Sequence, residues 1–429
     1  MKKQNLMRIS ILSIAFLATS LLTINAQTVV GTLGRLQTTT TSKNGKQIAI
    51  VGDENGNPIS LAGMSLFWSN AGDSSDFYNA ATVNHLADNW KVSIVRAAMG
   101  VKEDWDGGTG YVDNPQGQMT KIRKVIDAAI AKDIYVIVDY HTHNAEDYES
   151  EAITFFTDIA KIYGNNDHII YEIYNEPINQ SWSQIKSYAI NVIKEIRKED
   201  PDNLIIVGNP QWCQRVDEPA ADPIRINGQP DPNLAYTMHF YAGSHEQWLR
   251  DRTRKAMEDG APIFVTEWGS VNADGDGGVV VGETNAWLEF MEDYHLSHAN
   301  WNLGDKNEGS SVVSSGAGVS GLQNNQLTNA GNFIRTEILE IASNLVLSTE
   351  NFNLNGEQIS LFPNPATDII NLETSKTNIT SVKIVDIQGR QVFSNDYNSL
   401  KASIDVSSLS KGIYIMEINN TAGTQFVVK

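Results

Sequence analysis

Residues 169–177 read Ile-Ile-Tyr-Glu-Ile-Tyr-Asn-Glu-Pro, a mostly apolar run that ends in an amide, a carboxylate and a proline. Residues 262–269, Pro-Ile-Phe-Val-Thr-Glu-Trp-Gly, form a second such run, which also leads to a carboxylate. Nearly continuous apolar runs are typical of parallel strands that are covered on both faces. Polar groups where such strands end predict a site at the carboxyl edge of a parallel sheet.

Outward from these two runs, strand and helix signals alternate between about residues 47 and 342. The predicted strands are 60–66, 92–99, 135–141, 169–175, 204–208, 235–241, 263–267 and 299–303. The segments with helical periodicity are 77–91, 121–132, 149–163, 182–198, 245–259 and 283–294. Eight such strands over roughly 290 residues predict an α/β fold, a (β/α)8 TIM barrel. A doubly wound open sheet is the alternative, but no Gly-rich phosphate turn follows the first strand.

Two glutamates stand at the ends of the fourth and seventh predicted strands, Glu176 and Glu267. These strands lie across the mouth of such a barrel from each other, so both carboxylates can face one cleft. Hydrolysis of a glycosidic bond needs such a pair, because one carboxylic acid protonates the leaving oxygen and the other carboxylate stabilises or attacks the anomeric carbon. Other conspicuous polar or aromatic residues at strand ends are Arg96, His141, Asn175, His239, Tyr241 and Trp301.

Six motifs at strand ends resemble the glycoside hydrolase family 5 cellulases, in the same order, between about residues 45 and 340. They are residues 94–99 (IVRAAM), 138–141 (VDYH), 171–177 (YEIYNEP), 238–243 (MHFYAG), 262–269 (PIFVTEWG) and 300–306 (NWNLGDK). The resemblance implies a retaining mechanism with Glu176 as the acid/base, Glu267 as the nucleophile and their carboxyl groups about 5–5.5 Å apart. It also implies an endo-acting β-1,4-glucanase, a cellulase, that needs no cofactor and no metal.

The same resemblance implies supporting roles. Arg96 is expected to keep the nucleophile ionised through a charge-assisted hydrogen bond. Asn175 is expected to donate to the sugar 2-hydroxyl, an interaction that strengthens in the transition state. The other residues expected to bind substrate or to support the glutamates are His141, His239, Tyr241, Trp301, Lys306, Glu308 and Trp68.

Sugar contacts are expected from two tryptophans and two charged residues. Trp301 resembles the platform on which a glucose ring stacks beside the cleavage point, and Trp68 a more distant one. Lys306 and Glu308 occupy positions that hydrogen-bond the next sugar in relatives. Departures from the family pattern at Tyr140, at Phe67-Trp68 after the first strand and in the longer loop 102–111 leave an endo-β-1,4-mannanase or a xyloglucanase on the same fold open.

Two other interpretations belong to different classes of protein. His141 and His143 could be the metal-binding pair of a barrel metal hydrolase, but such a site needs further ligands, and among the other histidines His239 alone is well placed. Indifference of the activity to a chelator would exclude this interpretation. A non-catalytic glycan-binding protein on a barrel scaffold is the second, although such proteins typically lose one catalytic carboxylate.

Composition and the amino terminus indicate the compartment. The 429-residue chain has a formal net charge of -19, which repels phosphates, so nucleic acid is not an expected partner, whereas a neutral β-glucan is not repelled. Residues 1–26 combine a basic start, an apolar run too short to span a bilayer and a small residue at the end, which predicts a secretory signal peptide rather than a membrane anchor. Cys213 is the single cysteine, so no internal disulfide is expected.

The remaining segments divide the chain further. Residues 27–46 are predicted to be a disordered leader, 47–342 the catalytic domain and 343–358 a polar linker. Residues 359–429 alternate short strand signals with turns, which predicts a small β-sandwich. They resemble the C-terminal sorting domain of the type IX secretion system in residues 361–366 (LFPNPA), 385–390 (VDIQGR) and 409–414 (LSKGIY). The resemblance implies export by that machinery and release or attachment at the cell surface; a carbohydrate-binding module is the alternative, but the segment contains no tryptophan.

Overall fold

The computed structural model describes residues 29–102, 108–231 and 233–348 and, in the C-terminal part, 352–354, 357–362, 366, 369–374, 376–386, 389–419 and 424–428. The predicted signal peptide, residues 1–26, lies outside the described residues. Within the described part of the chain, no helix has both the length and the apolar composition needed to cross a bilayer.

Eight parallel strands close into a barrel, in which each strand pairs with the next along the chain and the eighth pairs with the first. Barrel strands one to eight are Ala62–Leu66, Ile94–Gly100, Tyr135–His141, Ile169–Glu172, Ile205–Val207, Leu234–Tyr241, Ile263–Gly269 and His298–Leu303. Nearly all of their residues are buried, because the barrel interior covers one face and helices cover the other. The predicted (β/α)8 fold is confirmed.

Helices cover the outside of the barrel, and local sequence explains where two of them begin. Asn114 caps the helix after the second strand by accepting from the amide of Gly117, and Pro115 occupies its first turn. Ser181 and Gln184 form a capping box on the helix after the fourth strand. The helices around the barrel are Ala80–His85, Pro115–Ala131, Glu149–Tyr163, Trp182–Glu199, Asp217–Ala221, Gln247–Glu258, Val281–Asp293, Gly318–Gln323 and Asn329–Ser348.

The amino-terminal residues 29–52 form a plug at the bottom of the barrel, opposite the carboxyl ends of its strands. The plug consists of a short helix, Val29–Leu33, and a hairpin of Gln37–Lys43 and Lys46–Gly52. Its apolar side chains share one buried cluster with the starts of the barrel strands: Val30, Leu33 and Leu36 with Ile94, Tyr135, Ile137, Ile170, Ile206 and Phe264. The predicted disordered leader is therefore wrong for residues 29–46, because residues 29–36 bury apolar side chains at the end of the barrel and residues 37–46 belong to the hairpin.

Backbone hydrogen bonds fix the plug to the chain before the third strand. The amides of Val29 and Val30 both donate to the carbonyl of Asp133 at 3.2 Å. The amide of Gly31 donates to the carboxylate of the same aspartate at 2.8 Å. The free amides at the start of the short helix are thus satisfied by one residue of the barrel.

The C-terminal region begins with a helix rather than a linker. Asn329–Ser348 continues past residue 342, so the first part of the predicted linker is helical. Two four-stranded sheets follow and share one apolar core. The first sheet contains Phe352–Leu354, Glu357–Phe362, Ile369–Glu373 and Lys401–Asp405, and the second contains Gln391–Ser399, Ile379–Asp386, Gly412–Ile418 and Thr424–Val428. The predicted small β-sandwich is confirmed.

Candidate active site

A cleft of about 750 Å³ lies at the carboxyl ends of the barrel strands. This volume is within the range typical of ligand-binding sites. Most of the predicted site residues line it: Trp68, His141, Glu176, His239, Tyr241, Glu267, Trp301 and Glu308. Arg96 and Asn175 lie beneath the cleft, buried and in hydrogen-bond contact with each other.

Glu176 is positioned by a segment that continues the fourth strand beyond its last ladder residue, Glu172. The amide of Asn175 donates to the carbonyl of Tyr140, and the amide of Glu176 donates to the carbonyl of Thr142, each at 3.3 Å. The segment is therefore held against the end of the third strand. Glu267, by contrast, lies inside the seventh strand, where the regular ladder fixes it.

The two glutamates face each other closely enough to act on one bond. An oxygen of Glu176 and an oxygen of Glu267 lie within 4.8 Å of each other. Retaining glycosidases have carboxyl groups about 5–5.5 Å apart, whereas inverting enzymes need about 6.5–9.5 Å to admit a water. Tyr241 donates its hydroxyl to one oxygen of Glu267 at 2.8 Å, and Arg96 donates to the other at 3.0 Å. The bound of 4.8 Å on the nearest oxygens agrees with the shorter of the two separations, that of the retaining class.

Arg96 is the centre of a buried charge cluster. Its guanidinium contacts the carboxylates of Glu172 at 2.7 Å, Asp139 at 3.0 Å and Glu267 at 3.0 Å. It also donates to the side-chain oxygen of Asn175 at 2.6 Å. Burial by itself would lower the pKa of Arg96, but the adjacent carboxylates raise it above its ordinary value. The cation is therefore permanent and holds both Glu267 and Asn175 in place.

The cluster contains more acidic groups than basic ones, and this changes their protonation. Burial raises the pKa of Asp139 to about 7, although the charge of Arg96 opposes the shift. Burial also raises the pKa of Glu172. His141, whose Nδ1 lies 2.6 Å from Asp139, has its pKa lowered to about 3 by burial and then by Arg96. The imidazole of His141 is thus neutral near pH 7, and the cluster holds fewer charges than its residue types suggest.

One proton is shared between Glu176 and His239. The Nε2 of His239 lies 2.9 Å from the hydroxyl of Thr266, which donates its own hydrogen to Glu172. Thr266 therefore accepts from Nε2, and the Nδ1 of His239 faces an oxygen of Glu176 at 2.7 Å. Burial would raise the pKa of Glu176, but hydrogen bonds from His143 and His239 lower it overall. Burial would lower the pKa of His239, but Glu267 and Glu176 raise it overall. The proton of the pair therefore rests on Nδ1 of His239, one hydrogen bond away from the Glu176 oxygen.

Aromatic rings form one wall of the cleft. The ring of Trp301 stacks on His141, with centroids 5.2 Å apart and planes 6° from parallel. Trp68 meets the same imidazole edge-on at 4.1 Å, and Phe67 lies 5.2 Å from Trp301. Because His141 is packed between two indoles and is neutral, it supports the aromatic wall from within the barrel mouth.

The two charged residues predicted to contact sugar occupy different positions. Glu308 lines the cleft. Lys306 is not among the lining residues; its ammonium pairs with Glu308 at 2.8 Å and lies 5.4 Å from the centroid of the Phe67 ring. Lys306 therefore contacts the cleft only indirectly, by holding the carboxylate of Glu308 at the edge of the cleft, here called the rim.

Sequence reasoning missed several residues of the site. Asp139 and Glu172 were hidden inside strands, where the sequence gives no sign that Arg96 needs them. His143, which the sequence suggested only as part of a metal-binding pair, lines the cleft, and its Nε2 lies 3.5 Å from the second oxygen of Glu176. Trp212, which follows the fifth strand, exposes 45% of its surface and lines the cleft. Its position just after a strand end was a signal that could have identified it.

The site does not fit a metal ion. Among the described residues, the ligand atoms close enough to hold one belong to Glu176, His239 and Glu267. Both ring nitrogens of His239 already carry hydrogen bonds, and Glu267 accepts from both Arg96 and Tyr241. A permanent guanidinium 3.0 Å from one of the ligands would repel a cation. The donor set therefore suits proton transfer and charge stabilisation better than coordination.

A closed parallel barrel with a close pair of carboxyl groups at its mouth is the architecture of a barrel glycoside hydrolase. Residues 52–307 match the family model described as Cellulase (glycosyl hydrolase family 5), and the chain belongs to that family. Residues 360–429 match the secretion system C-terminal sorting domain, which marks the chain as secreted or attached to the cell surface. Both family resemblances seen in the sequence are confirmed.

Individual relatives agree with the family. The chain is 54% identical to Endoglucanase Z of Dickeya dadantii over 267 residues, 60% of this chain and 61% of that protein. It is 40% identical to an endoglucanase of Clostridium saccharobutylicum over 324 residues, 72% of this chain and 69% of that one. A solved structure from Cytophaga hutchinsonii is similar with a TM-score of 0.68 and 39% identity, covering 75% of this chain and 99% of that one. The chain thus spans less than two thirds of the length of Endoglucanase Z.

Proposed function

We propose that the protein is an endo-acting, retaining β-1,4-glucanase that hydrolyses cellulose and related β-glucans. The observation that carries the proposal is the distance within 4.8 Å between carboxylate oxygens of Glu176 and Glu267 on opposite sides of the cleft. That spacing brings both carboxyl groups within reach of one anomeric carbon, which is the requirement of double displacement. The names of the relatives, which are endoglucanases, support the same reaction.

In the first step, Glu176 donates a proton to the glycosidic oxygen while a carboxylate oxygen of Glu267 attacks the anomeric carbon. The bond between that carbon and the leaving oxygen breaks, and the leaving chain departs as an alcohol. Glu267 is then esterified to the sugar and Glu176 is ionised. The proton comes from the pair that Glu176 forms with His239 across 2.7 Å.

In the second step, Glu176 accepts a proton from a water molecule, whose oxygen attacks the same carbon. The ester bond to Glu267 breaks, the sugar leaves with its original anomeric configuration, and both carboxyl groups return to their starting states. Each half-reaction inverts the anomeric carbon once, so the overall result is retention.

The buried groups prepare Glu267 for this role. Arg96 and Tyr241 each donate to one carboxylate oxygen, so the carboxylate cannot rotate away from the cleft. Asn175, whose side-chain oxygen accepts from Arg96, is turned so that its amide nitrogen can serve as donor to the sugar 2-hydroxyl. One cation thus orients the nucleophile and the residue assigned to the 2-hydroxyl.

Substrate binding rests on the aromatic wall and the rim. Trp301 and Trp68 supply rings for the apolar faces of pyranose units, and Trp212 supplies an exposed indole elsewhere in the cleft. The Lys306–Glu308 pair is suited to hydrogen-bond hydroxyls of the next sugar. With a net charge of -19, the protein favours a neutral polymer over an acidic one. The type IX secretion machinery is the proposed export partner of the sorting domain.

The decisive experiment identifies the covalent intermediate and the stereochemistry. The mature chain is incubated with a 2-deoxy-2-fluoro cellobioside carrying a good leaving group, and the labelled peptide is located by mass spectrometry. We expect the label on Glu267, and NMR of the first product from a natural oligosaccharide should show the β-anomer. A label on another residue, or an α-anomer as first product, would exclude the mechanism.

The substrate is tested separately. Reducing-end release is measured on carboxymethylcellulose, barley β-glucan, xyloglucan and galactomannan for the wild type and for Glu176→Gln and Glu267→Gln. Glu195→Gln, on an outer helix, is the matched control. Release from the glucans that both active-site substitutions abolish is expected. Release from galactomannan or xyloglucan alone would keep the mechanism and replace the substrate.

A further inference from the structure

Two tryptophans of the described chain, Trp212 and Trp248, each expose 45% of their surface. Trp212 lines the cleft, whereas Trp248 does not. Trp248 is in the first turn of the helix Gln247–Glu258, which follows the sixth barrel strand. Exposure of so large a ring gives up much of its burial energy, so a second exposed tryptophan next to the active-site face needs a reason.

Trp248 is adjacent to the wall of the cleft. Its ring centroid is 6.0 Å from that of His245, with the planes at 76°. His245 lines the cleft, and its Nδ1 accepts from the backbone amide of Tyr241 at 2.8 Å. The neighbouring helix start is thereby tied to the strand that carries the catalytic-site tyrosine. A ligand that leaves the cleft past His245 would meet Trp248 next.

The guanidinium of Arg252 packs against the indole ring of Trp248. The guanidinium carbon of Arg252 lies 5.2 Å from the centroid of the Trp248 ring, a cation–π distance. The same guanidinium donates to the carbonyl of Gln214 at 2.9 Å and lies 3.6 Å from the carboxylate of Asp217. Gln214 itself lines the cleft. The ring is therefore held in one orientation by groups that belong to the cleft wall, which lowers the entropy cost of binding a ligand to it.

We infer that Trp248, supported by Arg252, is a distal sugar-binding subsite on which a pyranose unit of a β-glucan chain stacks after leaving the cleft. The inference rests on the proposed function, since it takes the same polymer as ligand. The subsite lies outside the cleft that holds the two glutamates, so it affects long chains and leaves short ones untouched. Binding energy from this remote unit helps to hold the scissile bond in place.

The test compares chain lengths. Trp248→Ala and Trp248→Phe are made in the mature chain, with Ile162→Ala as the control, because Ile162 is 48% exposed on an outer helix. kcat/KM is measured on cello-oligosaccharides from the trimer to the hexamer, on soluble β-glucan and on a chromogenic cellobioside. For Trp248→Ala we expect a loss of about three- to tenfold on the polymer and on the longest oligomer, as for loss of one aromatic stacking contact. The cellobioside should show no change, and Trp248→Phe should keep most of the wild-type value.

A binding measurement separates this inference from the proposed function. In a Glu267→Gln background, calorimetry with the hexamer and the trimer should show weaker binding of the hexamer alone when Trp248 is replaced by alanine. Equal losses on short and long substrates, or no loss on any, would overturn the subsite while the glucanase activity stands. A wild-type protein that neither cleaves nor binds any cello-oligosaccharide would overturn both.

Discussion

The two ends of the barrel contain opposite kinds of core. At the bottom, the plug residues Val30, Leu33 and Leu36 are buried in an apolar cluster with the starts of the strands. At the mouth, Arg96 is fully buried among carboxylates, among them Asp139 and Glu172, which are fully buried too. Both ends are buried, but the bottom is filled by apolar side chains and the mouth by charged ones.

This difference indicates that one end of the barrel stabilises the fold and the other orients the residues of the active site. Apolar burial stabilises the fold in proportion to the area removed from water. A buried cluster with one guanidinium and several carboxylates contributes little to the free energy of unfolding, because the cost of desolvating the charges is only partly offset by their attraction. The raised pKa of Asp139, about 7, reflects that imbalance. We conclude that the bottom stabilises the barrel and that the mouth is retained for the orientation of Glu267 and Asn175.

The largest expected effect is at the mouth and concerns activity alone. Glu267→Gln should lower kcat/KM on soluble β-glucan by about 10,000-fold, because the glutamine cannot form the glycosyl ester. Its amide oxygen can still accept from Arg96, and one excess carboxylate is gone, so the free energy of unfolding should stay level or rise. Activity assays and urea unfolding check this, with Glu195→Gln as the control. If the variant lost activity because it unfolds, the division between a stabilising bottom and a catalytic mouth would be contradicted.

Next in size is the loss of the cation itself. Arg96→Met should lower the free energy of unfolding by roughly 3–5 kcal/mol, because the neighbouring buried carboxylates lose their counter-charge. Without Arg96 their folded-state pKa values rise further, so the loss should be large at pH 8 and shrink as the pH falls and they become protonated. Unfolding at pH 8 and pH 5 measures it. Arg254→Met, on a helix surface, should cost little, and an equal loss there would refute the argument.

At the bottom of the barrel the expected effect is smaller, and it concerns the free energy of unfolding rather than activity. Leu36→Ala should lower the free energy of unfolding by roughly 2–4 kcal/mol through the cavity it leaves. Since Leu36 is buried at the opposite end from the cleft, kcat/KM at 25 °C should not change. Ile162→Ala, at an exposed position, should leave both quantities unaltered. A fall in kcat/KM for Leu36→Ala, measured where the variant is folded, would show that the two ends are coupled.

The smallest effect is a displacement of the pH profile. His143 is one of the two histidines whose hydrogen bonds lower the pKa of Glu176. Glu176 must be protonated for the first step, so replacing His143 by leucine should raise its pKa and move the basic limb of kcat/KM to higher pH. Other titratable groups that interact with this carboxyl and remain are His239, Cys213, Tyr241, His245, His141, Asp139 and Glu267. His85→Leu, on an outer helix, is the control; an unchanged basic limb for His143→Leu would show that the contact at 3.5 Å has no influence.

Sequence reasoning reached the catalytic face and failed at the plug. Glu176 and Glu267 could be found because they interrupt apolar runs at strand ends, and the parallel pattern puts such ends on one edge. Asn44 and Gly45, with φ of 52° and 76°, make the two-residue hairpin turn that an Asn-Gly pair favours. That signal was present in the sequence, next to the polar run of threonines at residues 38–41 that is typical of a disordered leader. Val30 and Leu33 were too few apolar positions to predict a buried helix.

By itself the sequence determined the barrel, the sorting domain and the two glutamates, because periodicity, strand order and motif depend on neighbours along the chain. Tertiary structure decided which groups surround those glutamates. Arg96 and Glu172 are distant in sequence, yet the barrel buries them in contact at 2.7 Å. The tertiary structure also decided that His239 shares a proton with Glu176. The hydroxyl of Thr266 bonds to Nε2 of the imidazole, so Nδ1 is left facing the carboxyl of Glu176. Charge and proton placement follow from distances and burial across the barrel, which local patterns do not encode.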